Sequence, residues 1–229
     1  MKAMDINYEQ RLRISGKIKH KLPLDEETKS LLVNYGINPS VVKHPLQKVV
    51  VNTTLGDHSG IGCINVKGGM EFYSNKISPN DESLKNPSDE NTKITVRTLT
   101  IGKNGIVIFR NTQKRRMKEC YLLSNIFDYY ALRTLQHEGY LAAKYPVFAD
   151  YIVLNNVKNV LAFITESEIY DVIHCMLPRT EAGLVLSKTL KRRNPGHIND
   201  DSEFYSEFMN LTEYLYNLKM NLSNGNEEC

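Results

Sequence analysis

Three short apolar runs alternate with three helical stripes between residues 120 and 189, and this alternation constrains the fold more than any other feature. The runs are 120–123, 151–154 and 169–177. The stripes between and after them are Phe127, Tyr130, Ala131 and Thr134; Val157, Val160, Leu161 and Ile164; and Ala182, Val185, Leu186 and Thr189. Short apolar runs that each lead into a helix are typical of crossover units, which build parallel sheets. The second half is therefore predicted to be α/β.

The first half of the chain follows a different pattern. Residues 8–35 are predicted to be helical in two segments, the second opening at Leu24 and ending at Gly36. Strands are predicted over 49–53, 60–66 and 70–73, with a turn at Gly68-Gly69, then over 94–101 and 105–109 as a hairpin around 102–105. The polar stretch 78–93 is predicted to be a surface loop. We place a domain boundary near residue 112, between a small α+β domain (1–111, helices then a β-meander) and the α/β domain (112–229).

Composition favours a folded protein of the cytoplasm. Of 229 residues, 41% are apolar and 24% charged, as in ordinary globular domains. No apolar run reaches the length of a membrane span, and the first 21 residues do not follow the pattern of an export signal. The cysteines (Cys63, Cys120, Cys175 and Cys229) are widely separated, which predicts reduced thiols and excludes a zinc-binding Cys cluster.

Several segments of the second half share their order and strand-end residues with one family. Residues 122–128 read Leu-Leu-Ser-Asn-Ile-Phe-Asp where that family has Glu-Gly-aromatic-x-Asp after its first strand. Residues 154–159 read Leu-Asn-Asn-Val-Lys-Asn, close to the family's Leu-Asn-(Ser)-Val-x-Asn after the second. Residues 182–183 keep the Ala-Gly that opens the helix after the third strand. In the first half, residues 61–72 follow the family's Ile-Gly-Phe-x-Asn-x-x-Gly-Gly-x-Glu segment.

On these segments the chain resembles the Toprim domain of primases, topoisomerases and related nucleases, and most of all the Toprim primase-like proteins of bacterial mobile elements. The resemblance covers about residues 28–218. It implies a Toprim-like parallel sheet with flanking helices, preceded by a small α+β domain. The zinc-binding Cys cluster that related full-length primases carry is absent from this sequence.

The resemblance also indicates which catalytic carboxylates of the family are missing from this chain. A Toprim site uses a glutamate to shuttle a proton and an aspartate pair to hold Mg²⁺, which needs anionic oxygen ligands. The matching positions here are Ser124, Pro178 and Thr180, and the aspartate of a C-terminal segment has become Asn210. We therefore expect no catalytic residue, no bound metal and no cofactor, with Mg²⁺ relevant only if acids have been recruited from elsewhere.

The strand ends of such a sheet would still line a crevice suited to a phosphate or nucleotide. The candidate binding residues are Asn125, Asp128, Asn155, Asn156, Arg179 and Glu181. Each also has a purely structural interpretation. The asparagines can bond turn backbone, Asp128 can cap or brace a helix, and Glu181 can complement a helix N-terminus.

Positive residues are clumped although the formal charge is only +3. One clump covers residues 17–21, and two others are candidate nucleic-acid contacts. These candidates are Lys114, Arg115, Arg116 and Lys118, and Lys188, Lys191, Arg192 and Arg193. The alternative is that all of them are ordinary solvated surface.

Three functions remain open from the sequence. The first is a catalytically degenerate Toprim-like protein that binds DNA, RNA or a replication or mobilisation protein. The second is an active Mg²⁺-dependent primase or nuclease with relocated acids, such as Glu181 with Asp128, or Asp200 with Asp201. The third is a protein-interaction module whose basic residues are ordinary surface.

Overall fold

Alternation of charged and apolar residues puts the first described segment into a strand. The computed structural model describes residues 17–42, 46–53, 56–74, 99–111, 117–141 and 145–224. Lys17–Leu22 forms β1, which pairs antiparallel with β2 (Gln47–Thr53). The helix predicted from residue 8 is therefore wrong over residues 17–22, because the sequence Lys-Ile-Lys-His-Lys-Leu has a period of two. Residues 8–16 lie outside the described part of the chain.

The second helical segment is confirmed as α1 (Glu26–Val33). Asp25 caps it, since its carboxylate accepts a hydrogen bond from the Thr28 amide at 2.9 Å. Gly36 follows the helix with a φ of 75°, a left-handed conformation that favours glycine.

Five antiparallel strands form the first sheet, in the order β1-β2-β3-β4-β5. The remaining members are β3 (Gly56–Ile64), β4 (Met70–Tyr73) and β5 (Leu99–Ile101). The turn at Gly68-Gly69 joins β3 to β4 as predicted. A side chain at residue 69 would collide with the Lys103 carbonyl oxygen, 1.9 Å from its Cβ position, so this turn requires glycine. Residues 75–98, which include the predicted loop and the start of the predicted strand 94–101, are not described.

The hairpin predicted around residues 102–105 is wrong, because its two strands belong to different sheets. β6 (Val107–Phe109) follows β5 along the chain but pairs antiparallel with β8 (Asp150–Val153) in the second sheet. A backbone bond from the Val66 amide to the Ile106 carbonyl, 2.9 Å long, ties this crossing segment to the first sheet.

The second sheet has the order β10-β9-β7-β8-β6, and all its pairs except β6 with β8 are parallel. Its other strands are β7 (Glu119–Leu123), β8 (Asp150–Val153), β9 (Val172–Met176) and β10 (Ile198–Asp200). The connecting helices are α2 (Ile126–His137), α3 (Val160–Ser167) and α4 (Glu181–Arg193), with α5 (Leu211–Asn224) at the end. Short 3-10 turns span Pro39–Val41, Val157–Asn159 and Ser202–Tyr205. The predicted parallel α/β second half is confirmed to this extent.

Helices cover both faces of this sheet. α2 and α5 pack on one face, in a core that also takes in α1 and part of the first sheet. Tyr35 and Tyr73 from the first half meet Phe127 of α2 in this core, with ring centroids 5.3 and 4.6 Å from the Phe127 ring. α3 and α4 cover the other face over a separate apolar cluster.

Within the described residues the cysteines are free and buried: Cys63, Cys120 and Cys175. They serve core packing, as predicted. Cys229 lies outside the described residues.

Candidate functional site

The strand order creates a crevice at the carboxyl edge of the second sheet. The chain passes from β7 to its neighbour β8 and then crosses back to β9, on the other side of β7. Parallel sheets bind ligands where consecutive connections diverge in this way, outside the carboxyl ends of the strands. The residues that follow β7, β8 and β9 therefore meet at the predicted place.

A cavity of about 160 Å³ occupies this edge. Its lining includes Ser124, Pro178 and Thr180, the three positions that the sequence comparison aligned with the acids of a Toprim site. The other lining residues are Leu154, Asn155, Asn156, Val157, Leu177, Ala182, Gly183 and Leu186. The structure thus brings the three positions together, but every described side chain that lines this cavity is uncharged.

Two of the predicted binding residues, Asn125 and Asp128, follow β7 and lie at the start of α2. Asn125 is the N-cap, and its side-chain oxygen accepts hydrogen bonds from the amides of Phe127 (2.8 Å) and Asp128 (3.0 Å). Neither Asn125 nor Asp128 lines the cavity. The capping interpretation of this segment accounts for Asn125.

Asp128 is fully buried and links two helices. One carboxylate oxygen accepts hydrogen bonds from the hydroxyl and amide of Thr212 on α5, at 2.7 and 3.2 Å, and the other accepts from Asn125 at 2.9 Å. Burial raises the pKa of Asp128 to about 6, against the effect of these donors. The acid braces α2 against α5 and does not face the crevice.

Two asparagines after β8 hold the turn that leads into α3. Asn155 has a φ of 60°, its amide donates to the Ser124 carbonyl at 2.8 Å, and its side chain donates to the Gly105 carbonyl at 2.9 Å. Its side-chain oxygen is buried without a hydrogen-bond partner within the described part of the molecule. Asn156 accepts from the Lys158 amide at 2.9 Å. Both asparagines line the cavity while they bond turn backbone.

The residues after β9 shape the other wall of the cavity. Thr180 is the N-cap of α4, and its hydroxyl accepts a hydrogen bond from the Gly183 amide at 3.1 Å. A Cβ at residue 183 would lie 2.0 Å from the Pro178 carbonyl oxygen, so the strand end and the helix can approach this closely only with glycine. The glycine of the Ala-Gly pair at the helix start is thus required by packing.

Three other positions singled out in the sequence, Arg179, Glu181 and Asn210, lie outside the cavity wall. Arg179 donates through its amide to the Met209 carbonyl at 2.8 Å, and Glu181 is exposed in the first turn of α4. Asn210 accepts from the Glu213 amide at 2.9 Å and so caps the start of α5. None of the three lines the cavity.

The two acids at the end of β10 also have partners within the protein. Asp200 accepts from the Ser202 amide at 3.2 Å. Asp201 lies 2.7 Å from Nδ1 of His174, whose Nε2 is 2.9 Å from a carboxylate oxygen of Glu119. Burial alone lowers the pKa of His174, but the two carboxylates outweigh it and raise the pKa above the ordinary value. These three residues were not among the predicted binding residues, and the one sequence signal for their contact is a histidine within an apolar strand.

The basic candidates are only partly described. Lys114, Arg115 and Arg116 lie outside the described residues. Lys118 is exposed and its ammonium nitrogen is 3.5 Å from Asp171. The remaining four project from α4 into solvent and form no ion pair with any described residue: Lys188, Lys191, Arg192 and Arg193.

The described side chains offer no group of three or more His, Cys, Asp or Glu that could hold a metal ion. No family model matches this chain, and the searches of curated proteins and of solved structures likewise return no match. Over the residues described, every helix is too short or too polar to cross a membrane.

Proposed function

We propose that this chain is a catalytically degenerate Toprim-like protein that binds nucleic acid through the exposed basic surface of α4. The observation that carries the proposal is the lining of the carboxyl-edge cavity. Ser124, Pro178 and Thr180 meet there, and the described side chains that line the cavity are all uncharged. A binding role fits this arrangement better than phosphoryl transfer, because Mg²⁺ and a transferring phosphoryl group need anionic oxygens and a proton carrier.

The acids considered as replacements support the same conclusion through their contacts. Asp128 is bonded to Thr212, Asp201 to His174, and Glu181 points into solvent. Recruiting the first two into a metal site would break buried hydrogen bonds, at about 1–3 kcal/mol for each group left unsatisfied. Cleavage or primer synthesis that depends on Mg²⁺ and is lost in Glu181→Gln would favour the enzyme instead.

The basic surface of α4 supports a polyanionic ligand. Cations in the last turn of a helix also complement its dipole, which accounts for part of the cluster. Lys188, however, lies earlier in the helix and is exposed. Exposed cations of this kind, which form no ion pair within the described part of the chain, can displace the counterions of nucleic-acid phosphates.

Titration of a fluorescent single strand and a duplex over a range of salt concentrations tests the proposal. Each phosphate contact contributes about −0.7 to −0.9 to the slope of log affinity against log salt. The double variant Lys188→Gln/Lys191→Gln should weaken binding to all sequences and reduce the magnitude of this slope by about 2. Lys17→Gln/Lys21→Gln, on exposed strand β1, removes the same charge and is the matched control.

Equal losses in the two double variants would indicate diffuse attraction to net charge and would contradict a site on α4. Absence of binding at low salt would contradict nucleic-acid binding altogether.

A further inference from the structure

A groove separates the two helices on one face of the second sheet. On the other face α2 and α5 pack side by side, but the backbones of α3 and α4 barely approach each other. Cavities open at both ends of the space between them, one of about 160 Å³ at the carboxyl edge and one of about 560 Å³ at the amino edge. We call this space the α3–α4 groove.

Apolar side chains from both helices and the sheet form part of the lining of the α3–α4 groove, beside polar residues. Ile164, Ile173 and Leu190 line the larger cavity, and Val157 and Leu186 line the smaller one. Ile164 and Leu186 are only partly buried against the core below. The groove therefore presents apolar surface that the protein's own described elements leave uncovered.

Large apolar residues also stand on both rims. Leu161 is 74% exposed and Val157 62% exposed on the α3 side, and Val185 is 58% exposed on the α4 side. Val157, Leu161 and Ile164 follow each other at intervals of four and three residues. Across the groove, Val185 and Leu186 follow Ala182 by three and four residues, so each set lies along one side of its segment. Exposed apolar surface arranged in this way is characteristic of interaction sites.

The charges along the groove are asymmetric. At the amino end Arg193 lines the cavity opposite Glu168, and Arg192 stands beside Val185 and Thr189 on the α4 rim by helical spacing. Neither arginine forms an ion pair with a described residue. A ligand in the groove would therefore meet positive charge at the amino end of the α4 side.

We propose that the α3–α4 groove is a docking site for an amphipathic helix of a partner protein, with carboxylates on the flank that faces Arg192 and Arg193. α4 has 13 residues and is about 20 Å long, which matches a partner helix of three to four turns. Helices bind such grooves through apolar anchors at i, i+3, i+4 and i+7. This proposal does not depend on nucleic-acid binding.

Binding of synthetic 16-residue peptides, followed by fluorescence anisotropy, tests the docking site. One peptide carries a leucine stripe with helical spacing and glutamates on its flanks, a second replaces the glutamates with lysines, and a third has the first composition in scrambled order. The glutamate peptide should bind about tenfold or more tightly than the other two, and Arg192→Gln/Arg193→Gln should remove its advantage over the lysine peptide. Equal binding of all three, or of none, would overturn the proposal.

The rim variants locate the site. Leu161→Ser/Val185→Ser should weaken the glutamate peptide about tenfold or more, because two anchoring contacts are lost. Val33→Ser/Val66→Ser changes two residues that are also half exposed, 50% and 56%, but lie outside the groove, and should leave binding unchanged. Unaltered melting temperatures confirm that both variants stay folded.

Two further outcomes separate this proposal from its alternatives. A dimer in sedimentation experiments that Leu161→Ser/Val185→Ser dissociates would assign the groove to a second copy of the chain and overturn the partner helix. The same variant leaves the net charge unchanged, so it should bind nucleic acid as the wild type does. Failure of nucleic-acid binding and failure of peptide binding are thus independent results.

Discussion

The carboxylate of Asp128 on α2 accepts two hydrogen bonds from Thr212 on α5, one from the hydroxyl at 2.7 Å and one from the amide at 3.2 Å. Asp128 lies in the first turn of its helix and Thr212 in the first turn of the other. Two helix N-termini thus converge on one buried negative charge, which helix dipoles favour. This contact fixes α5 against the face of the sheet opposite the α3–α4 groove.

Removing the Thr212 hydroxyl should destabilise the fold. Thr212→Val keeps the shape of the side chain but leaves the buried carboxylate with one donor fewer, which costs about 1.5–3 kcal/mol for a hydrogen bond to a charged group. Urea unfolding measures the change in the free energy of unfolding. Thr165→Val is the control, since that exposed hydroxyl donates only to the Leu161 carbonyl of its own helix, and it should change stability by no more than about 0.5 kcal/mol. If the urea midpoint of Thr212→Val equals that of the wild type, the contact contributes nothing to the free energy of unfolding.

Asp128 should also make stability depend on pH between about 4 and 6. Burial raises its pKa to about 6 from an ordinary value of 3.8, so the folded state binds a proton where the unfolded state does not. Stability contributed by this group is therefore highest below pH 4 and falls as pH rises to 6, by up to about 3 kcal/mol. Asp128→Asn removes the titration. The difference in unfolding free energy between wild type and variant should change with pH in this window and stay constant above it.

His174 should produce a second pH dependence at higher pH. Burial lowers its pKa, but the carboxylates of Asp201 and Glu119, 2.7 and 2.9 Å from its ring nitrogens, raise it above the ordinary 6.5 overall. The folded state then holds the proton more tightly than the unfolded state. Its stabilising effect is complete below pH 6.5 and is lost as pH rises through the folded pKa.

His174→Gln should abolish that part of the profile. Urea unfolding between pH 6 and 9 measures it, and His137→Gln, on an exposed histidine at the end of α2, is the control. If the free energy of unfolding of His174→Gln depends on pH as that of the wild type does, the titration belongs to another group.

Periodicity predicted the second half of the fold well because its strands are buried on both faces. Strands of this kind appear as short continuous apolar runs, such as residues 120–123. The helical stripes that follow them are long enough to be recognised by their spacing. β10, only three residues long, and the helix over residues 211–224 were not identified as elements. The hairpin at 102–105 was wrong because glycine and asparagine predict a turn but not which sheet receives the next strand.

The candidate site was predicted in part, for a reason that depends on side-chain direction. Strand ends of parallel neighbours must meet, so the sequence places Ser124, Asn155 and Thr180 near one another, and all three line the cavity at the carboxyl edge. Asn125 and Asp128 follow the same strand but turn into caps and helix contacts, and sequence spacing does not reveal a partner such as Thr212, which is 84 residues away. The α3–α4 groove was missed because Leu161 and Val185 belong to apolar stripes that predict burial.

Gly183 should be indispensable to the carboxyl edge of the sheet. An added Cβ would lie 2.0 Å from the Pro178 carbonyl oxygen, and backbone cannot yield as a flexible side chain can. Gly183→Ala must therefore push α4 away from the strand end, at about 1–3 kcal/mol for overpacking, and open the cavity beside Thr180. Gly196→Ala is the matched control, because a Cβ there meets nothing within 4 Å. Urea unfolding should show a loss for the first variant alone, and equal stability of the two would contradict this close approach of helix and strand end.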